Sequence, residues 1–175
     1  MRPGETVTDS PDTPAITCRT TVHASIEQVW RVLTDLRSYP EWHPSMRILA
    51  DDDAFPVRVG ARYTVQTNAG QPVELTFDVT ITHVAQPTVF AWEGGDPDTF
   101  YGRHRWTLDA VESGTTVTDH ESFTGSMAAS VVSAHHEALN AQYSAALSAL
   151  RERAEADARA STDRLPPHPG EQHAL

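Results

Sequence analysis

The sequence predicts an α+β fold in which one curved antiparallel sheet wraps a long C-terminal helix, with two short helices after the first strand. Three observations predict it. Apolar residues recur at helical spacing through Ser25–Pro44, directly after one strand-like stretch. The spacing then changes to two and holds, with turn residues between runs, from Tyr63 to Phe123. Last, Met127 to about Ala160 contains neither Gly nor Pro and is rich in Ala, which suits one long helix.

Taken in order, Ile16, Cys18, Thr20 and Val22 alternate with Thr17, Arg19 and Thr21, a first strand. Ser25 is a good helix N-cap, and Gln28 stands three residues on, as in a capping box. Ile26, Val29, Trp30, Leu33 and Leu36 form one apolar stripe. Pro40 cannot continue that helix, so a second short helix or turn runs through Trp42 and stops at Pro44. A strand is expected over residues 46–51. Tyr63, Val65 and Thr67 alternate up to a turn at Asn68–Gln71. Val73, Leu75, Phe77, Val79 and Ile81 then share one face of a half-buried antiparallel strand.

Ala85-Gln86-Pro87 turns the chain, Phe90 and Trp92 share a face, and Gly94–Asp98 reads as a loop. His104, Trp106 and Leu108 face one way in the next strand; Glu112-Ser113-Gly114 turns; Val117, Asp119, Glu121 and Phe123 face one way in the last. In the final helix, Val132, His136, Leu139, Tyr143, Leu147 and Leu150 make the buried stripe, and the segment beyond Arg151 is charged and solvated.

The length suits one domain, over residues 15–160. Residues 1–14 and 161–175 are polar and Pro-rich and read as disordered, with His168 and His173 solvated in the tail. Hydrophobic content of 39% is ordinary for a globular chain. A net charge of −11 with scattered Arg and no Lys repels phosphate backbones, so nucleic acid is not expected as a partner. The single cysteine, Cys18, cannot form an intramolecular disulfide and reads as a small buried hydrophobe. No apolar run approaches the roughly 20 residues that span a bilayer, and the N-terminus has no signal-peptide core. Membrane insertion is therefore not expected, and the default location is cytoplasmic. No feature of the sequence fixes an oligomeric state.

His135-His136-Glu137 invites a metal reading, but helical neighbours point about 100° apart and seldom share one ion. There is no His-Glu-x-x-His, no paired-cysteine motif, no phosphate-cradling glycine loop and no serine nucleophile elbow. Neither a metal nor a cofactor is expected.

Three passages resemble the START-like, or SRPBCC, superfamily, and within it the polyketide cyclase/dehydrase-like proteins. They are Val22–Trp30 with its Val-Trp pair; Leu33-Thr34-Asp35 followed by Tyr39–Pro44; and Gly102–Leu108 with Gly114–Thr118 and Glu121–Gly125. Together they span residues 15–155. The resemblance implies the helix-grip fold, with the last helix lying across a concave sheet and a ligand held between them. It implies little about function, because that scaffold serves carriers, cyclases, receptors and chaperone cofactors alike.

His104 and Glu121 are the residues best suited to chemistry. Parity turns both inward, on strands expected to pair as a hairpin. A buried carboxylate needs a partner, and a His–Glu contact would raise the imidazole pKa. Such a pair can move protons on a bound carbonyl compound, as cyclisation or dehydration requires; it can equally serve to stabilise a cavity wall. Tyr63, Phe77, Trp92, Trp106 and Phe123 are inward aromatics able to contact a flat ligand or simply to fill the core. His136 and Tyr143, seven residues apart on the last helix, can donate to a ligand or be satisfied within the protein. Three functions therefore stay open: a cofactor-free cyclase or dehydratase acting on an apolar, aromatic or polyketide-like molecule; a carrier of a lipid, quinone or metabolite; and a protein-interaction module.

Overall fold

The computed structural model describes residues 12–49, 57–68 and 74–162. The proposed disordered ends therefore lie almost wholly outside the described residues, with His168 and His173, as do most of the turn after Asn68 and the end of the strand expected to reach residue 51. The elements are β1 (Ala15–Val22), α1 (Ile26–Thr34), a 3-10 turn (Leu36–Ser38), α2 (Tyr39–Trp42), β2 (Met46–Leu49), β3 (Arg62–Thr67), β4 (Leu75–Ala85), β5 (Val89–Asp96), β6 (Phe100–Val111), β7 (Gly114–Thr124) and α3 (Ala128–Thr162). One antiparallel sheet runs β1-β7-β6-β5-β4-β3-β2, and α3 crosses it. This is the helix-grip arrangement.

Local chemistry sets the ends of α1. Ser25 and Gln28 form the reciprocal capping box, each side chain bonding the other's backbone N–H. Asp35 ends the helix, and the chain tightens through the 3-10 turn into α2, where Pro40 occupies the first turn, the one place a helix tolerates it. Val29, Trp30, Leu33 and Leu36 are buried with Phe90, Leu108 and Val117 of the sheet and Leu147 and Leu150 of α3. A second apolar cluster joins Ile16 and Phe123 to Ala128 and Val132, the start of α3.

Three features differ from the sequence reading. Gly94 and Gly95 are not loop; β5 continues to Asp96, pairing Gly94 with Gly102 and Gly95 with Tyr101. A β-carbon on Gly94 would sit 2.2 Å from the Asp78 carbonyl oxygen. The sheet curls so tightly there that only glycine fits, so these glycines permit a bent strand where their composition suggests a break. Next, α3 is broken by a kink at His135 (φ −119°, ψ 15°). The kink resets the helical phase, so His136 leaves the buried stripe and becomes exposed. Cys18 is half-buried, its Sγ 3.5 Å from the Ser144 hydroxyl of α3, and so belongs to the sheet–helix seam. No helix among the described residues is long and apolar enough to cross a membrane.

Candidate functional site

Between the concave face and α3 lies a cavity of about 460 Å³. Its walls are mainly apolar: Leu33, Trp42 and Met46 on one side, Phe77 and Trp92 on the sheet, Leu147 on the helix. Gly94 and Gly102, opposite each other on β5 and β6, leave its floor bare. At the β2–β3 end, Gln142 of α3 donates to the Ser45 hydroxyl (3.2 Å) and the Asn68 side-chain oxygen (3.0 Å), tying helix to sheet.

One polar chain crosses this apolar space. His104 Nε2–H donates to Asp119 Oδ1 at 2.5 Å, and His104 Nδ1 lies 3.3 Å from Glu121 Oε2. The Tyr143 hydroxyl donates to the same Glu121 oxygen. The hairpin produces this geometry: His104 stands opposite Glu121, and Trp106 opposite Asp119. The ring thus meets one carboxylate across the ladder and the other diagonally. Trp106 stacks on the His104 ring at 3.7 Å between centroids, and Trp92 meets it edge-on at 5.8 Å.

The electrostatics follow from enclosure. Burial alone would depress the His104 pKa, but Asp119 and then Glu121 outweigh it and hold the value above 6.5. A carboxylate at each nitrogen favours the protonated ring. Burial raises the Glu121 carboxyl above its ordinary value despite the imidazolium and the phenol beside it. Burial first, and Glu121 second, push the Tyr143 phenol well above 10, so it remains a donor.

A second histidine, His43, lines the same cavity in the opposite state. Its Nδ1 accepts the backbone N–H groups of Ser45 and Met46 at 3.3 and 3.0 Å, so a neutral ring carries its proton on Nε2. The ring stacks on Tyr39, centroids 5.6 Å apart and planes 10° apart. Burial, helped by the nearby His104 charge, lowers its pKa from 6.5 to about 4. Across that window the unfolded chain binds a proton that the folded protein excludes. Stability is therefore whole above pH 6.5 and is lost as pH falls towards 4, by about 2 kcal/mol for a ring that keeps some exposure. His43→Asn keeps an acceptor for the two backbone N–H groups and cannot titrate, so its urea midpoint should fall less than the wild type's between pH 7 and 4. Parallel pH profiles would refute this.

Of the residues proposed from the sequence, His104, Glu121, Phe77, Trp92, Trp106, Phe123 and Tyr143 all line the cavity. Two do not. Tyr63 is buried, at 2% exposure, in the core beyond the cavity's reach, because parity fixes a face of the strand but not a depth along it. His136 is exposed and lies 3.1 Å from the Asn140 amide, while its neighbour His135 takes the lining position at the kink. Asp119 and His43 were not among the proposed site residues. Asp119 shares the inward parity of Glu121, so its signal was present; His43, with Trp42, falls where the short second helix could border the cavity entrance, and both line the cavity. No group of three or more His, Cys, Asp or Glu among the described residues is arranged to hold a metal.

Solved structures with this architecture include protein CV1439 from Chromobacterium violaceum (16% identity, TM-score 0.65, covering 81% of this chain and 98% of that one). They also include StfQ, the di-domain aromatase/cyclase of the steffimycin biosynthetic pathway (12% identity, TM-score 0.67, 84% and 52%). A third is DynU16 of the dynemicin biosynthetic locus (22% identity, TM-score 0.59, 85% and 49%). The chain spans about half the length of the last two. At these identities the likeness shows the fold alone. No curated protein matches the sequence. The family model described as polyketide cyclase / dehydrase and lipid transport matches residues 13–155, which takes in the whole described sheet, α1, α2, most of α3 and all of the Asp119–His104–Glu121–Tyr143 chain, and the protein belongs to that family.

Proposed function

We propose that the protein binds an apolar aromatic or polyketide-like molecule in the cavity and catalyses its cyclisation or dehydration without a cofactor. The observation that carries this reading is the Asp119–His104–Glu121–Tyr143 chain set into an otherwise apolar wall. Glu121 is its most accessible carboxylate, with 16% of its side chain exposed against 3% for Asp119. In an aldol cyclodehydration, Glu121 takes a proton from the carbon next to a ligand carbonyl while His43 Nε2–H hydrogen-bonds the carbonyl oxygen. The carbon–carbon bond forms at a second ligand carbonyl, whose oxygen takes the proton held at Glu121 and becomes a hydroxyl; Glu121 then removes the second proton from the same carbon and passes it to that hydroxyl, which leaves as water as the carbon–carbon double bond forms. His104 and Asp119 hold Glu121 in place and balance its charge.

The mutual satisfaction of the four groups favours a second reading, a carrier whose wall is polar only where it is closed on itself. One experiment separates the two. The protein is incubated with cyclisable polycarbonyl compounds, and product and bound small molecules are analysed by mass spectrometry for wild type, His104→Ala and Glu121→Gln. Catalysis predicts turnover in the wild type and at least a hundredfold loss in each variant. A ligand bound unchanged by all three proteins would instead establish the carrier.

A further inference from the structure

The cavity's charge inventory is one-sided. Its acids are Asp119 and Glu121 inside and Asp96 at the rim. Among the described lining residues, the only enclosed group that favours a positive charge is the His104 ring, already shared between Asp119 and Glu121. His43 is neutral, with Nδ1 occupied by backbone donors, and His135 sits on the solvent-exposed kink. No arginine is among the described lining residues, and the chain contains no lysine at all. Arg103 and Arg105, beside His104 in β6, point to the opposite face, where Arg103 meets Glu93 at 3.7 Å.

An anion entering this space would lose its hydration and meet no counter-charge, only a carboxylate in a low-dielectric wall. A neutral carbonyl, amide or hydroxyl meets the Nε2–H donor of His43, and an ammonium meets Glu121 and the aromatic faces. We infer that the cavity selects by charge: it accepts aromatic ligands whose buried end is neutral or cationic and rejects the same scaffold ending in a carboxylate. Free fatty acids and aromatic acids are thereby excluded from its ligands. The inference rests on the ligand-binding reading above and narrows it.

The test uses the full chain and a matched naphthalene series, the acetic acid, its amide and the ethylamine, with affinities measured by quenching of tryptophan fluorescence at pH 8. Neutral Nile red reports separately whether the cavity binds apolar molecules at all. The amide and amine should each bind at least tenfold more tightly than the acid. In Glu121→Gln, its folding checked by circular dichroism, the acid's disadvantage should shrink at least threefold. An acid within tenfold of the amide, or a disadvantage unchanged in Glu121→Gln, overturns the charge inference and leaves the ligand-binding reading standing if Nile red binds. Binding of neither Nile red nor any member of the series overturns both.

Discussion

Replacing Asp119 by Ala should destabilise the protein by about 3 kcal/mol, the cost of breaking a buried ion pair from one side. Asp119 is 2% exposed and His104 6%. With Trp106 stacked on its ring, the imidazole cannot swing out to water. Burial is the largest single influence and would lower its pKa, but Asp119 and Glu121 together outweigh it and raise the value. The sign of the pH dependence follows. A folded-state pKa above 6.5 means that the pair's stabilisation is complete below pH 6.5 and fades as pH rises through the folded value. The deficit of Asp119→Ala should therefore be largest near pH 6 and smaller near pH 9, measured by urea unfolding. Asp119→Asn, which still accepts the hydrogen bond but carries no charge, should lose less. A deficit under about 1 kcal/mol, or one that does not change with pH, would show that the imidazole is neutral in the folded protein and that Asp119 is not its charge partner.

The same pair shows what a sequence can carry. Inward parity on two consecutive strands, with a short turn between them, points to a His104–Glu121 contact, and the strand register sets the two residues opposite each other. Asp119 has the same parity, yet a contact between residues two positions out of register depends on sheet twist and ring length, which alternation does not encode. The helical stripe of α3 assumes a constant 100° step. It holds from Leu139 to Leu150 and fails at His136, because the backbone at His135 leaves helical geometry without a Gly or Pro to signal it. Tyr63 shows the limit of parity itself, being inward but beyond the cavity's end. Gly94 and Gly95 show the limit of composition, since the residues that mark a turn also permit a sharply bent strand.

That bend yields the second large effect. Gly94→Ala should cost about 3 kcal/mol, because its β-carbon would fall 2.2 Å from the Asp78 carbonyl oxygen and 2.9 Å from the Val79 Cα. Both are backbone atoms of β4, held by the ladder that pairs Val79 with Gly94, so relief requires β4 and β5 to part. Gly102, across the next ladder, makes the control. A β-carbon there would meet Glu121 Oε1 at 2.2 Å, the free end of a side chain that can turn away. Gly102→Ala should therefore lower the thermal midpoint less than Gly94→Ala does, while abolishing any turnover by displacing Glu121 from His104 and Tyr143. Two glycines facing each other on the cavity floor would then separate the curl that creates the space from the polar chain that uses it. A wild-type midpoint for Gly94→Ala would mean that the strands can relax there at no cost, and that the cavity's shape is set by α3 pressing on the sheet rather than by the sheet itself.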